Sequence, residues 1–453
     1  MLHIAMYPWF AFGHLTSFLH LANKLALKGH RISFFSPSKS LLRLEPFNRH
    51  PDGIALIPVA VPNIHGLPVG SETTADVPFS LRPLIMTAMD LTRPFIEASL
   101  RSLKPDFVFF DFAHWVPALS RELGIKSIHY YTISAATVAY IMTREGIRDH
   151  ERCLTEADLT EPPVGFPTSS IKLSAHEARE LAAGSLREFG SGISLLERQV
   201  TSWKDSDAIA FKSCREIEGS YCDYLQLHFN KPLLLAGPVM PEPPNRDLKE
   251  TWVQWLNSFE PRSVIFCALG SECILKTNEF QELVLGLEIT NRPFLVALKP
   301  PAGATTVESA LPSGFLDRVK DRAIVHGGWV EQNLILQHPS VGFFVTHCGS
   351  GSLSEAMISD CQMVLLPHAG DQFINARVIA GSLKVGVEVE KLEDGSFTRD
   401  GVCKAVRCVM DEDSEVGNEV RVNHMKWKEF LLRDGLEESY INEFVKRLHT
   451  LLE

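Results

Sequence analysis

Residue types suited to holding a phosphorylated nucleoside converge between Trp329 and Gln372. A buried strand at Gly342–Thr346 runs into His347-Cys348-Gly349-Ser350-Gly351-Ser352. A helix is expected from about Ser352, with Ser350 or Ser352 as its N-cap. Small residues there let an anion approach exposed backbone N–H groups, and the helix dipole favours negative charge. His347 and Ser352 add side-chain donors. Glu355, expected in the first helical turn, can accept two ribose hydroxyls. Trp329 ends an earlier strand and can stack on a flat base. Asp371-Gln372, in the loop after a strand at Met363–Pro367, can take hydrogen bonds from a hydroxyl-rich ring. Base, ribose, diphosphate and sugar each find a partner along one sheet edge.

Other chemistries lack their residues. Asp205-Ser206-Asp207 and Asp411-Glu412-Asp413 match an Asp-x-Asp metal pattern, but both read as solvated acidic turns. There is no HExxH and no Cys/His cluster at zinc spacing. Walker A and GxGxxG are missing as well, which disfavours a P-loop ATPase or an ordinary dinucleotide enzyme.

Positioning these residues takes alternating strands and helices. Leu2–Met6 is a short apolar run, Pro8–His14 a turn, and Leu15, Phe18, Leu19, Ala22, Leu25 and Ala26 fall on one helical face. Gly29 closes that helix and Ile32–Phe35 is the next strand, which makes a βαβ unit. Further strands are expected at Ile54–Pro58, Phe107–Phe110, Ser127–Tyr131 and Ala208–Phe211. Helices are expected at Pro83–Leu103 and Trp115–Leu123, and Pro62–Pro78 reads as a long loop. Four prolines between Gly237 and Pro244 mark a stiff linker. Beyond it, strands at Ser263–Leu269, Phe294–Leu298, Ala323–His326, Gly342–Thr346, Met363–Pro367 and Val385–Val389 alternate with helices at Glu279–Thr290, Glu331–Gln337, Ser352–Ser359, Asp371–Ala380 and Gly401–Met410. The fold class is therefore α/β, with two doubly wound parallel sheets, and two such domains facing each other leave a cleft at their carboxyl strand ends. The expected division is 1–236, a linker at 237–250, 251–436, and a C-terminal helix at 437–453.

Composition fits that picture. The chain has 453 residues, 45% hydrophobic and 22% charged, which suits two globular domains and excludes wholesale disorder. Net charge is −11 with no dense Lys/Arg block, which argues against a nucleic-acid partner. Nine cysteines without a CxxC pair suggest a reducing compartment, and neither a signal peptide nor a membrane span is recognisable. The cytoplasm is the expected location.

The 44 residues from Trp329 resemble the signature of plant secondary-product UDP-glycosyltransferases, with Trp329, Gln332, His338, His347, Cys348, Gly349, Ser352, Glu355, Pro367, Asp371 and Gln372 at matching spacing. The similarity extends along the chain in length, domain order and N-terminal motif. It implies a GT-B fold whose N-terminal domain binds the acceptor and whose C-terminal domain binds the donor, with the final helix packing back on the first domain. It implies that Trp329 and Val330 hold uracil, that Gln332 and Glu355 hold ribose, and that Asp371 and Gln372 hold the sugar. Ser271, His347, Gly349, Ser350, Gly351 and Ser352 would line the diphosphate.

The same resemblance implies an inverting reaction. A histidine after the first strand deprotonates the acceptor and an aspartate at a later strand end orients it. Here these are His14, next to Gly13, and Asp111. An imidazole backed by a carboxylate is a suitable base near pH 7. Asp106 precedes its strand, at the wrong end of the sheet. His20, His30 and His129 read as structural, while His114, Trp115, Phe10, Phe12 and Tyr130 are divided between acceptor contact and ordinary core. UDP-sugar is a co-substrate, and no cofactor or metal is required.

One departure stands out. The family commonly has Trp-Asn after His-Cys-Gly, and this chain has Ser350-Gly351. A side-chain amide toward the phosphate is lost, so backbone N–H groups must do more. The variant resembles the branch that extends sugars already attached to flavonoids and anthocyanins. The expected acceptor is such a glycoside, and the expected enzyme a monomer. Gln372 leans toward glucose in the family, although relatives with this variation also use xylose, rhamnose or galactose. The alternatives are transfer to an aglycone hydroxyl, a UDP-sugar epimerase or hydrolase, and a non-catalytic UDP-sugar-binding protein.

Overall fold

A computed structural model describes residues 1–147 and 153–453. Two compact units emerge, one built from 1–169, 181–245 and 434–453, the other from 170–180 and 246–433.

The first unit carries seven parallel strands: β1 (His3–Tyr7), β2 (Arg31–Pro37), β3 (Ile54–Val59), β4 (Phe107–Phe110), β5 (Lys126–Tyr131), β6 (Ala208–Phe211) and β7 (Leu233–Leu235). Their order is β3-β2-β1-β4-β5-β6-β7. Helices cover both faces, which is why the strands read as continuous apolar runs; all four phenylalanine and valine side chains of β4 are buried. The helix Phe12–Leu27 turns Leu15, Phe18, Leu19, Ala22 and Leu25 into the core. It starts earlier than the apolar pattern suggests, so Gly13 and His14 sit in its first turn and not in the preceding loop. The expected helix Pro83–Leu103 is two helices, Arg82–Asp90 and Arg93–Leu103. Pro94 has no N–H to donate and is tolerated only in a first turn, so the chain breaks and restarts there.

The main change of unit, between Asn245 and Arg246, falls inside the stretch 237–250. The proline run stays with the first unit, because Lys24 pairs with Glu242, the Asn245 N–H donates to Pro46 at 2.8 Å, and the Met240 N–H donates to Glu437 at 2.6 Å. Residues 170–180 join the second unit: Arg377 donates to Glu177 at 2.7 Å and to the Lys172 carbonyl at 3.2 Å. The last helix, Leu436–Leu452, belongs to the first unit and inserts Ile441, Phe444 and Leu448 into the core shared with Ile4 and Phe109. The Phe109 and Phe444 rings lie 6.0 Å apart.

The second unit carries six parallel strands: β8 (Val264–Ala268), β9 (Phe294–Ala297), β10 (Ala323–His326), β11 (Val341–Thr346), β12 (Gln362–Leu365) and β13 (Gly386–Glu388). The order is β10-β9-β8-β11-β12-β13. Its core is filled by β8, β9 and β11 side chains packed against the helices Thr277–Ile289 and Arg399–Met410. Among the described residues no helix is long and apolar enough to cross a membrane.

Candidate active site

Both sheets reverse their winding next to the first strand of each unit: between β1 and β4 in one, and between β8 and β11 in the other. Doubly wound sheets open a crevice beyond the carboxyl ends at such a point. His14 and Asp111 follow β1 and β4, Ser271 and residues 347–355 follow β8 and β11, Asp371 and Gln372 follow β12, and Trp329, Val330 and Gln332 follow β10.

In the first unit, Tyr7 pairs with Phe110 across β1 and β4. The chains leaving these strands therefore emerge side by side, and His14 Nδ1 meets Asp111 Oδ2 at 2.7 Å. Asp111 is buried, and its Oδ1 accepts the N–H groups of Trp9 at 2.7 Å and Phe112 at 2.8 Å. A carboxylate can only accept, so the shared proton is assigned to His14 Nδ1 and Nε2 is left with its lone pair. That is the tautomer of a general base. Thr132 Oγ1 lies 3.2 Å from the same Nδ1. Sequence reasoning missed it; the only available signal was its place just after β5. Phe112 meets the His14 ring edge-on at 5.5 Å, and Trp9, Phe112 and Phe189 form an aromatic group with centroids 5.5–5.7 Å apart. Phe10, Tyr130, Phe12 and Trp115 are core residues, whereas His114 stays half-buried.

In the second unit, Gln332 opens the short helix Gln332–Leu336. Its Nε2 donates to Glu355 Oε2 at 2.6 Å and to Ser352 Oγ at 3.0 Å. Residues twenty and more apart in the chain thus form one polar group. The helix that carries Ser352 and Glu355 begins at Ser350, two residues before the expected start, with Gly349 as an extended N-cap. The N-cap is therefore neither serine. The first intrahelical bond here is Leu353 N–H to Gly349, which leaves the N–H groups of Ser350, Gly351 and Ser352 as first-turn donors. Glu355 consequently sits beyond the first turn. A Cβ at Gly351 would meet nothing within 4 Å, so the position where the family commonly carries an amide is open space.

His347 is partly buried, and desolvation lowers its pKa to about 4. It is a neutral ring and not a cation. A Cβ on Gly270 or Gly349 would come within 2.6 or 2.5 Å of His347 Nε2, so both glycines make room for the imidazole. Gly270 also has φ +76, which a side chain rarely tolerates. Ser271 follows it, half-buried at the end of β8. Trp329 is 42% exposed three residues after β10, while Val330 beside it is buried.

Asp371 caps the helix Gln372–Arg377. One turn on, Asn375 Nδ2 donates to Asp371 Oδ2 at 2.8 Å and to the Cys348 carbonyl at 3.0 Å. Cys348 has φ +66, and this amide braces the left-handed turn that leads into Gly349. Asn375 was also missed; its i+4 spacing from Asp371 was the readable signal. Gln372 Oε1 accepts the His368 N–H at 2.9 Å and the Ala369 N–H at 3.1 Å. That carbonyl end is engaged in shaping its own loop.

Buried neutral histidines have a consequence for stability. Burial holds His20, His129 and His368 at about 3 and His347 at about 4. An unfolded histidine titrates near 6.5. Below that pH the unfolded chain takes up protons that the folded one refuses. Stability is therefore complete above about pH 6.5 and falls as the pH drops toward 4, by up to about 1.4 kcal/mol per pH unit for each group. Thermal melts should show Tm decreasing from pH 7.5 to pH 5; a flat profile would contradict this.

Comparison with known proteins bears on these arrangements. Residues 223–428 match the family described as UDP-glucoronosyl and UDP-glucosyl transferase. The chain is 58% identical, over 99% of its length and 98% of the relative's, to cyanidin 3-O-galactoside 2''-O-xylosyltransferase of Actinidia chinensis var. chinensis. It is 53% identical, with coverage of 99% and 98%, to anthocyanidin 3-O-glucoside 2''-O-glucosyltransferase of Ipomoea nil. Among solved structures, UGT73P12 of Glycyrrhiza uralensis superposes with a TM-score of 0.81 at 22% identity, covering 100% of this chain and 96% of that one. The fold they share is the GT-B arrangement of two parallel-sheet units.

Proposed function

The chain belongs to the UDP-glycosyltransferase family, and from that premise we propose that it transfers a sugar, with inversion, from a UDP-sugar to a sugar hydroxyl of a flavonoid or anthocyanin glycoside. The observation that carries the reading is the 2.7 Å contact between His14 Nδ1 and buried Asp111, which leaves Nε2 ready to take a proton. In this reading His14 Nε2 removes the proton of the acceptor hydroxyl as its oxygen attacks the anomeric carbon. The new C–O bond forms as the bond to the diphosphate breaks, and UDP departs with the electron pair. Asp111 stabilises the imidazolium that results.

On the donor side, the free N–H groups of Ser350, Gly351 and Ser352 and the neutral His347 offer hydrogen bonds to the leaving diphosphate. Gly13, at the start of its own helix, leaves space beside His14. Gln332 and Glu355 receive the ribose, Trp329 and Val330 the base, and Asp371 with Gln372 the sugar. No step is assigned to a metal. None of the nine cysteines is in a disulfide, which fits a cytoplasmic location, and the enzyme is taken to act as a monomer.

The names of the two relatives support a glycoside acceptor, since each denotes transfer to a 3-O-glycoside. They differ in the sugar transferred, xylosyl in one and glucosyl in the other. A panel of UDP-glucose, UDP-xylose, UDP-rhamnose and UDP-galactose against an anthocyanidin 3-O-glycoside and its aglycone, with product linkage analysed, tests the reading. A disaccharide product is expected, and sugar attached only to the aglycone would contradict it.

Glu355→Ala should weaken UDP binding by roughly tenfold to a hundredfold, because two charge-assisted ribose contacts disappear. Titration calorimetry with UDP checks this. An unchanged affinity removes Glu355 from the site.

A further inference from the structure

The segment that begins with Asp111 carries a second imidazole, held in the opposite sense. Arg198 has no exposed side-chain surface, and its donors are fully engaged. They reach Asp90 at 2.8 and 3.1 Å, the carbonyls of Phe189 at 3.1 Å, Gly190 at 2.8 Å and Phe112 at 3.4 Å, and His114 Nδ1 at 2.7 Å. Asp90 also accepts the Trp115 indole N–H at 2.9 Å. Phe112 and Trp115, which flank the His114 segment, are thereby tied to the same ion pair.

A guanidinium can only donate. His114 Nδ1 must therefore be an acceptor, and the ring proton must lie on Nε2. His14 faces a carboxylate and has the reverse tautomer. The first turn after β1 and the segment after β4 thus offer two imidazoles of fixed and opposite character: His14 to accept a proton, His114 to donate a hydrogen bond. His114 cannot substitute as the base. Desolvation, assisted by Arg198, also lowers its pKa and keeps it neutral. Its Nε2 has no protein partner among the described residues, and it is not one of the enclosed nitrogens. Phe10, Phe12, Trp115 and Tyr130, the other residues weighed for acceptor contact, are buried, whereas His114 is half-buried. Trp9, Phe112 and Phe189 supply apolar rings in the same region, so His114 is a polar group suited to reading a hydroxyl.

We propose that His114 is a specificity-determining residue that donates Nε2–H to a hydroxyl oxygen on the sugar of the acceptor glycoside. The proposal rests on the glycoside reading above and names the side chain that recognises the acceptor's sugar.

A pair of variants separates recognition from scaffolding. In His114→Gln, one end of the amide can accept from Arg198 while the other donates. In His114→Glu, a carboxylate satisfies Arg198 but offers no donor. His114→Gln should keep kcat/KM for an anthocyanidin 3-O-glycoside within about fivefold of wild type, whereas His114→Glu and His114→Leu should lose at least about tenfold. KM for the UDP-sugar and affinity for UDP should not move in any of them. If His114→Glu matches wild type on the glycoside, or the loss falls equally on UDP affinity, His114 is only scaffolding and the proposal fails. If thermal melts show that the Glu and Leu variants do not fold, wild type assayed with glycosides lacking one sugar hydroxyl at a time decides. A tenfold loss of kcat/KM on deletion of one hydroxyl other than the attacking one supports the proposal, and no loss on any of those deletions overturns it. Wild type that turns over the aglycone as well as the glycoside removes the acceptor reading itself, a distinct result.

Discussion

His14→Ala should lower kcat by about two to four orders of magnitude while leaving UDP affinity within about twofold of wild type. A sugar hydroxyl is a poor nucleophile at neutral pH, and it gains strength only if its proton is removed as the oxygen attacks. The His14 imidazole has its Nδ1 proton committed to Asp111 at 2.7 Å, so Nε2 is the basic end. Alanine is a good former of the helical turn that His14 occupies, so the fold should survive. Donor contacts are assigned to the second unit and should persist. Steady-state kinetics with a saturating donor, beside calorimetry with UDP, measures both quantities. Turnover near the wild-type rate would remove His14 from the base role.

Asp111→Asn should cost a similar amount, by a different route. Its Oδ1 holds the Trp9 and Phe112 N–H groups, and an asparagine carbonyl can keep both. The amide NH2 then faces His14 Nδ1 in place of a carboxylate oxygen. Nδ1 becomes the acceptor, the proton moves to Nε2, and the base is lost without any change in shape. A decrease in kcat of roughly 10³–10⁴ is expected, with the melting temperature close to wild type. A loss smaller than about tenfold would show that Asp111 does not set the tautomer.

Much of this architecture was readable from residue patterns. Phe107–Phe110, Ala208–Phe211 and Ala323–His326 are apolar runs of strand length, and each coincides with the strand that forms. β7 has only three residues, too few for any periodicity to register. The ends of functional elements were harder. The helix after β11 starts at Ser350 because Gly349 takes the cap, an arrangement set up by Cys348 in a left-handed conformation. Cysteine gives no hint of that backbone state; the Asn375 amide that braces it comes from another loop.

The site shows the same division. Strand-end positions for His14 and Asp111 could be read along the chain, but their contact depends on β1 lying beside β4. Local patterning does not encode that strand order. Family resemblance supplied the pairing, and the geometry gives it a physical basis. Thr132 and Arg198 were hard to read for the same reason, since each acts on a partner far away in sequence, as Asn375 does through its bond to Cys348. The unit change at Asn245 and Arg246 falls inside the expected linker, 237–250, although the proline run is no free spacer. Here ion pairs and backbone hydrogen bonds fasten it to the first unit.

The most direct test of sugar transfer is UDP release measured with and without an anthocyanidin 3-O-glycoside. The account predicts release that depends on the acceptor, matches disaccharide formed mole for mole, and disappears in His14→Ala. Release at the same rate without acceptor would make the protein a hydrolase, and UDP-sugar binding with no release under either condition would make it a sensor; either result contradicts the account.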